Sequence, residues 1–324
     1  MPTVAPKPRK RPPHPLAGLN RAELETKLKT DPASLGSVSL GRPQAGALFN
    51  GVMMPKGPQW RLVNPPQTWG TQETVDAIIR CIKAVNAEFP NTPPLYIGDI
   101  SEKHGGHIPP HISHQAGRDV DLGFYYTTKP QWFATGNKRN LDLPRTWALI
   151  RAFITKTDVE RMFLDRRLQK LVRNYALSIG EDPAWLDSIF GGPRSHLHPI
   201  IMHEPGHRTH LHVRLYNRIA QESGRRLYKL LLATKRIKPP TYYVRYRCRR
   251  GDTLRRIAYR FHTTVRAIKR ANGLRSSVIY DGRKYKIPRH GGVSQTPELN
   301  IPARRLPPPR DANSVSQRAA AAQP

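Results

Sequence analysis

Two short stretches of this chain concentrate side chains that can bind a metal ion. The first, "HISHQAGRDVDLGF", covers residues 111–124, and the second, "HRTHLHVR", covers residues 207–214. The second stretch places His207, His210 and His212 within six positions, in a sequence that alternates like a strand. Alternate residues of a strand point to the same face, so His210 and His212 can face one cleft. This density of histidines predicts a metal or proton-transfer site.

Three residues from the two stretches form the predicted ligand set of a catalytic zinc ion. Such an ion takes three protein ligands with nitrogen or oxygen atoms and keeps one position for water. His114, Asp121 and His212 would supply two imidazoles and a carboxylate. A single H-x-H pair, or one aspartate on a strand, is usually an ordinary surface feature. The prediction therefore depends on both motifs occurring in one chain, about ninety residues apart.

A zinc-activated water also needs a neighbouring group that accepts its proton. Zinc lowers the pKa of bound water to about 7, and an imidazole can take the proton and pass it to a leaving amine. His207 and His210 are the candidate catalytic residues, and their spacing does not decide between them. Arg214 is a candidate for holding an anionic substrate, with a solvated surface arginine as the alternative.

Helices and strands alternate along the region that contains both stretches. Residues 71–89 have apolar side chains at a helical period, with Thr71 as the expected N-cap. Further helices are predicted in "RTWALIRAFI" and "RRLQKLVRNYAL", and strands in "PLYIGDIS", "GRDVDLGFYY", "VERMFL" and "THLHVRLY". The interleaved order predicts the α+β class, with a mixed, largely antiparallel sheet and flanking helices.

The bulk composition limits the classes of function. A chain of 324 residues is expected to form two domains. Its 54 Lys and Arg against 23 Asp and Glu give a net charge of +31, which attracts nucleic acid, anionic lipid or an acidic wall polymer. No apolar run is long enough for a transmembrane helix, and the basic, proline-rich N-terminal stretch lacks the apolar centre of a secretory signal peptide. Cys81 and Cys248 have no zinc-finger spacing, and a disulfide between them is not expected.

The segment from 242 to 289 differs in character from the rest, with fifteen Lys and Arg against two Asp. Its order is strand–helix–helix–strand, a small βααβ module in which Gly251, Asp252 and Thr253 form the turn before the first helix. On charge and helix content alone, a helix-turn-helix that binds nucleic acid is an alternative.

The predicted organisation has five parts. They are a proline-rich basic arm at 1–45, a large domain with both metal-binding stretches at 46–225, a linker at 226–241, the basic module at 242–289 and a disordered tail at 290–324.

The stretches "SHQAGRDVDLGF" and "GHRTHLHVRL" resemble the penicillin-insensitive murein endopeptidases, over roughly residues 45–220. That family belongs to a wider group of zinc peptidases that includes the D-Ala-D-Ala dipeptidases and the hedgehog fold. The resemblance implies zinc ligands at His114, Asp121 and His212, additional active-site histidines at His207 and His210, and His111 as a further histidine near the metal. It also implies hydrolysis of D-amino-acid cross-links between peptidoglycan stem peptides without a serine nucleophile. The segment before the second motif lacks the tryptophans of the family, which concerns the substrate subsite more than the metal.

The basic module resembles a LysM domain. The similarity runs along the module from Tyr246 to Pro288 and includes the Gly251-Asp252-Thr253-Leu254 turn. It implies binding to N-acetylglucosamine units of peptidoglycan or chitin. The implied groove includes Gly251, Asp252 and Thr253, together with residues 277–280.

Both resemblances lead to one expected substrate, peptidoglycan, and to no specific nucleic-acid partner. The expected function is a zinc-dependent murein D,D-endopeptidase that its LysM domain anchors to the glycan, in the periplasm, secreted or at the cell wall. The alternatives are a D,D-carboxypeptidase or dipeptidase of the same metal group and a non-catalytic cell-wall binding protein. Intact ligand positions argue against the non-catalytic alternative. No oligomeric state is predicted.

Overall fold

The structure is a computed structural model, and it describes residues 12–109, 111–290 and 298–309. Parts of the predicted arm and tail lie outside the described residues, namely 1–11, 291–297 and 310–324. The described chain contains eight α-helices and twelve strands, and two short 3₁₀ helices at Pro32–Leu35 and Pro65–Gln67.

The helices are α1 Arg21–Thr30, α2 Gln72–Glu88, α3 Leu143–Lys156, α4 Arg166–Ser178, α5 Pro183–Phe190, α6 Arg218–Ala233, α7 Leu254–Arg260 and α8 Val265–Ala271. The strands are β1 Val38–Arg42, β2 Ala45–Phe49, β3 Val52–Met53, β4 Trp60–Leu62, β5 Trp69–Gly70, β6 Leu95–Ile97, β7 Asp119–Leu122, β8 Val159–Leu164, β9 Ile201–His203, β10 Leu211–Leu215, β11 Thr241–Arg247 and β12 Lys284–His290.

A six-stranded central sheet organises the large domain. Its strand order is β4-β6-β7-β10-β8-β9. The β4–β6 and β8–β9 pairs are parallel, and the other neighbours are antiparallel. The predicted α+β class with a mixed, largely antiparallel sheet is confirmed. The register of β7 and β10 sets His212 opposite Asp121 and Arg214 opposite Asp119, so the pairing of two central strands brings the two metal-binding stretches together.

Helices α2 and α3 form the main apolar layer against this sheet. Thr71 is the N-cap of α2, as predicted, and its side chain accepts a hydrogen bond from the Thr74 backbone N–H. The apolar positions of α2, among them Ile78, Ile82 and Val85, are completely buried because they repeat at the helical period. Together with the apolar face of α3 they form the core on which β7 and β10 lie.

The N-terminal segment is folded, where the sequence predicted an arm, and α6 is part of the same unit, where the sequence predicted the start of a linker. Leu24 and Leu28 of α1 pack with Leu227 and Leu231 of α6 in a second apolar cluster, together with β1 and β2. The backbone N–H groups of Ile219 and Ala220 at the start of α6 donate to the Glu73 carboxylate, at 3.1 and 2.8 Å. The proline-rich and basic composition concealed this unit, because its core assembles from segments about two hundred residues apart.

Residues 298–309 of the predicted disordered tail lie against the large domain. The Trp185 indole Nε1 donates to the carbonyl of Arg305 at 2.8 Å, and the Arg304 Nε lies 2.7 Å from the Asp158 carboxylate. The segment has no helix or strand, and only its contacts hold it. The polar, proline-rich composition of this segment predicted disorder. Composition could not show that the segment contacts residues elsewhere in the chain.

The C-terminal module, residues 241–290, has the predicted βααβ order. Strands β11 and β12 pair antiparallel along their whole length and form a two-stranded ribbon. One face of the ribbon packs on α7 and α8 around a small core that includes Cys248, Ile257 and Ile268. Cys81 and Cys248 are both buried and free. None of the described helices combines the length and the apolar character that a bilayer crossing requires.

Candidate metal centre and active site

Three predicted ligands converge where β7 and β10 pair. His114 Nε2 and His212 Nδ1 lie 3.3 and 3.0 Å from Asp121 Oδ1, and the two nitrogens are 3.3 Å from each other. All three side chains are at most 6% exposed. Ligand atoms held about 2.0–2.2 Å from a tetrahedral zinc ion lie about 3.4 Å apart, so the triangle has the size of one face of that tetrahedron.

The hydrogen bonds of the two histidines leave these particular nitrogens free to bind a metal. Nδ1–H of His114 faces the Ile100 carbonyl at 3.1 Å, and Nε2–H of His212 faces the Asp119 carboxylate at 3.1 Å. The lone pairs of His114 Nε2 and His212 Nδ1 therefore point toward Asp121. Such partners on the far side of the ring fix the tautomer and orientation of metal-binding histidines.

An orphaned atom at the centre of the triangle provides a test of whether a metal fits. Asp121 Oδ1 is buried and has no hydrogen-bond partner among the described residues, although two imidazole nitrogens lie near it. A buried carboxylate oxygen without a partner is unfavourable by about 1–3 kcal/mol. A divalent cation between the three atoms would satisfy it, so the residues present fit a metal of the zinc type.

His114 adopts an unusual backbone conformation. Its φ angle is 64°, in the left-handed region that non-glycine residues seldom occupy. The His114 backbone N–H donates to Asp119 Oδ2 at 3.1 Å, which holds this conformation. The residue thereby turns its ring back over β7, toward Asp121, which follows it by seven residues in the sequence.

Arg214 does not lie in the cleft as a substrate contact, so that prediction is corrected. It is 6% exposed, and its Nε donates to Asp119 Oδ1 at 2.6 Å. Burial raises the pKa of Asp119, but the Arg214 guanidinium and the hydrogen bond with His212 outweigh burial and hold that pKa well below its usual range. Because β10 alternates, Arg214 points to the same face as His212, and it orients the aspartate that orients the ligand. The sequence alone assigned Asp119 no role.

His111 lies at the edge of the triangle. The imidazoles of His111 and His114 and the Asp121 carboxylate offer ligand atoms that all lie within 4.8 Å of one another. However, His111 Nε2 is 2.9 Å from Asp99 Oδ2, and its Nδ1 is 3.8 Å from Asp121 Oδ2. The Asp99 contact holds the ring beside the site.

His207 and His210 stand together on the open side of the triangle. Their ring centroids are 4.8 Å apart, and His210 Nε2 lies 3.7 Å from Asp121 Oδ1. Burial lowers the pKa of His210 to about 4, and burial also lowers the pKa of His207. Both imidazoles are therefore neutral at pH 7 and able to accept a proton. Burial lowers the pKa of His212 as well, but the neighbouring carboxylates of Asp119 and Asp121 outweigh burial and raise it to about 9.

Two aromatic residues that sequence reasoning did not single out border the cleft. Phe133 is 58% exposed, has a φ of 61°, and stacks on the His210 ring at 5.5 Å with an interplanar angle of 16°. Trp132 packs over Gly98, where any Cβ would collide with the indole ring. Adjacent aromatics in the Gly/Pro-containing loop "KPQWFATG" were the available signal, since exposed aromatic side chains often serve binding.

The predicted glycan-binding turn of the C-terminal module is formed mainly by its own hydrogen bonds. Asp252 accepts from the Tyr246 hydroxyl at 2.7 Å and from the Arg249 backbone N–H at 2.8 Å. Thr253 caps α7 by accepting from the Arg256 backbone N–H at 3.1 Å. Gly251 has a φ of 84°, which suits a glycine in this turn. In the second predicted segment, residues 277–280, the exposed side chains include Val278 and Tyr280.

Comparison with known proteins assigns the two regions separately. Residues 39–225 match the family model described as penicillin-insensitive murein endopeptidase. Residues 246–288 match the LysM domain model. No curated protein matches the chain.

Proposed function

The chain belongs to the penicillin-insensitive murein endopeptidase family and carries a LysM domain, and we propose that it is a zinc-dependent D,D-endopeptidase acting on peptidoglycan cross-links. Membership in this metallopeptidase family makes it a peptidoglycan hydrolase. The observation that carries the finer proposal is the triangle of His114 Nε2, Asp121 Oδ1 and His212 Nδ1, with sides of 3.0–3.3 Å.

In this proposal His114, Asp121 and His212 hold the metal, and Asp119 keeps His212 in the required orientation. A bound zinc ion supplies Lewis acidity, which makes a water at this point of the cleft more acidic and polarises the scissile carbonyl. Burial of the donor set supports the proposal, because charges act more strongly in a site that excludes water. The ionised Asp121 offsets part of the charge of a divalent cation.

His210 and His207 transfer the proton. His210 is the nearer to the triangle, with Nε2 3.7 Å from Asp121 Oδ1, and its lowered pKa leaves it unprotonated at pH 7. We assign it the acceptance of the proton from the attacking water. His207 lies on its outer side, and we assign it a role toward the leaving amine. Phe133, stacked on His210, restricts that ring and shields it from solvent.

The LysM domain anchors the enzyme to the glycan of the same polymer. Tethering raises the effective concentration of the catalytic domain at the wall. The two cell-wall enzyme domains indicate that the chain acts outside the cytoplasm, and within that space we propose the periplasm, or secretion to the cell wall.

Zinc content and muropeptide products, measured on the same samples, test the proposal. The purified chain should contain one zinc per molecule and convert cross-linked muropeptide dimers into monomers, as followed by mass spectrometry. His212→Ala should lose the bound zinc and lower hydrolysis by about 10³-fold or more, because it removes one of the three proposed ligands. His104→Ala is the matched control, since His104 is an exposed loop histidine, and it should retain both properties.

The other outcomes separate the alternatives. Loss of terminal D-Ala alone, with dimers intact, would identify a D,D-carboxypeptidase or dipeptidase. Binding to peptidoglycan without any product would identify a non-catalytic wall protein. Full activity in His212→Ala would show that the proposed zinc site is wrong.

A further inference from the structure

The ribbon of the C-terminal module has two faces of opposite chemistry. Its inner face carries Tyr285 and Ile287 into the module core. Its outer face pairs Arg245 with Lys286 and Arg247 with Lys284, each directly opposite the other across β11 and β12. We call these four residues the cationic ribbon face.

This arrangement opposes the stability of the ribbon. Like charges directly opposite each other in an antiparallel pair are destabilising. Among the residues that the structure describes, no carboxylate lies within 4.0 Å of any of the four cations. Arg247 Nε instead donates to the Gly282 carbonyl at 3.2 Å. A local arrangement that works against the fold, without compensation from within the fold, indicates a ligand that supplies the missing anion.

A second observation shows that the charge continues around one end of the ribbon. A shallow depression there has Arg245, Arg247, Arg249, Arg250 and Asp281 as its charged lining residues. Four guanidinium groups thus surround a concave surface with one carboxylate among them. The depression and the cationic ribbon face share Arg245 and Arg247, so the two form one continuous surface.

We propose that the cationic ribbon face binds an anionic envelope polymer with repeating phosphodiester groups. Residues two apart in a strand are about 6.6–6.8 Å apart, and directly opposed residues are about 4.5–5.5 Å apart. The surface therefore presents two successive pairs of cations, one pair for each acidic group along an extended chain. A phosphodiester directs its two free oxygens away from each other, so one can accept from each strand of the ribbon. N-acetylglucosamine, the ligand class of LysM domains, carries no charge for such a surface to meet.

The position of the surface places a bound polymer near the cleft. Tyr243 precedes Arg245 by two residues on the outer face, and its ring contacts His107 of the large domain at 4.7 Å between centroids. His107 belongs to the loop that leads to His111. Burial lowers the pKa of His107 and the nearby Lys286 ammonium lowers it further, which is consistent with Lys286 facing this loop. The cationic ribbon face thus extends toward the side of the molecule on which the candidate active site opens.

Binding of the full-length chain to poly(glycerol phosphate) tests this proposal. Arg245→Gln, Arg247→Gln, Lys284→Gln and Lys286→Gln combined should weaken binding by at least about tenfold. The matched control replaces four exposed arginines elsewhere on the module, Arg255→Gln, Arg266→Gln, Arg270→Gln and Arg275→Gln. It removes the same charge and should weaken binding by less than about threefold. Equal losses in the two variants would overturn the proposal, because net charge alone would then explain the binding.

Two further measurements keep the proposal open to refutation. Polyglutamate of matched length should bind the chain at least about tenfold more weakly at the same salt concentration. Equal or tighter binding of polyglutamate, or tighter binding of a DNA oligonucleotide of matched length than of poly(glycerol phosphate), would overturn the assignment to a phosphodiester envelope polymer. The ribbon variant should unfold at the same or a higher temperature than the unmodified chain, since the substitutions remove repulsion. A lower unfolding temperature would mean that the four cations stabilise the fold, which contradicts the proposal.

Hydrolysis of soluble muropeptide dimers by the ribbon variant should be unchanged. Failure of the polymer-binding proposal is therefore distinguishable from failure of the proposed peptidase activity.

Discussion

In the large domain, Arg118 and Arg214 are buried and each contacts a carboxylate, whereas in the LysM module Arg245 and Arg247 are exposed and face lysines across the ribbon. Arginine side chains therefore serve different purposes in the two regions. In the first region each charge is matched within about 3 Å and acts by its position. In the second region the positive charges reinforce one another and attract anionic molecules from solution. The difference explains why a net charge of +31 says little about the active site, whose charges are paired internally.

The largest expected difference between the two regions is in the free energy of unfolding. Arg214→Gln should lower it by about 3–5 kcal/mol, because the buried Asp119 carboxylate loses its guanidinium partner. Arg245→Gln, the same substitution on the ribbon, should change it by no more than about 0.5 kcal/mol. Urea unfolding of the metal-free forms measures both values without a contribution from bound zinc. Similar losses in the two variants would remove the distinction between paired and unpaired arginines.

A smaller effect is expected on metal affinity, within the large domain itself. Asp119→Asn should weaken zinc binding by about 10- to 100-fold, since the amide orients His212 less strongly than the carboxylate does. Asp99→Asn is the matched control, because the Asp99 side chain contacts His111 and none of the side chains of the three proposed ligands. Competition with a fluorescent chelator provides the affinities. A loss in Asp99→Asn as large as in Asp119→Asn would place His111 among the ligands.

The smallest expected effect concerns the two cysteines, one in each region. Burial raises the pKa of Cys81 to about 12 and also raises that of Cys248. The thiolate is the reactive form, so neither thiol should react with a disulfide reagent in the native protein at pH 8, and reactivity should rise only as the pH approaches the raised pKa values. Under mild denaturant Cys248 should react before Cys81, since the module has the smaller core and opens more easily. Cys81→Ala and Cys248→Ala assign the signals, and reaction of Cys81 first would contradict the ranking.

Much of the fold could be predicted from the sequence where a pattern is local. The period of α2 and its Thr71 cap, the strand at 159–164 and the βααβ order of the module all follow from short-range rules, and each agrees with the structure. The N-terminal unit could not be predicted in the same way. Leu24 and Leu28 on α1 have meaning only beside Leu227 and Leu231 on α6, and that contact joins distant parts of the chain. The docked segment at 298–309 is a second case, since its partners Asp158 and Trp185 precede it by more than a hundred residues.

The residues of the candidate site likewise fall into those that local sequence patterns identify and those that depend on tertiary contacts. Residue types and spacing singled out His114, Asp121, His212, His207 and His210. They could not assign the role of Arg214, because a sequence does not say which face of a strand is buried. In the structure the Arg214 side chain lies on the buried face of β10, where it donates to Asp119. Phe133 was missed because its place against His210 depends on how a loop folds over the cleft.

The sequence by itself determined which atoms are available for chemistry: two imidazoles and a carboxylate for a metal, two more imidazoles for a proton, and an excess of cations in the final module. It also determined the alternation that sets His212 of β10 and His210, the residue before that strand, on one face. Only the tertiary structure decided which atoms meet. The antiparallel register of β7 and β10 places His212 against Asp121 and Arg214 against Asp119, and the register of β11 and β12 places cation against cation. Register depends on which strands pair and how far each is shifted, and that is decided by burial of the whole sheet rather than by any one segment.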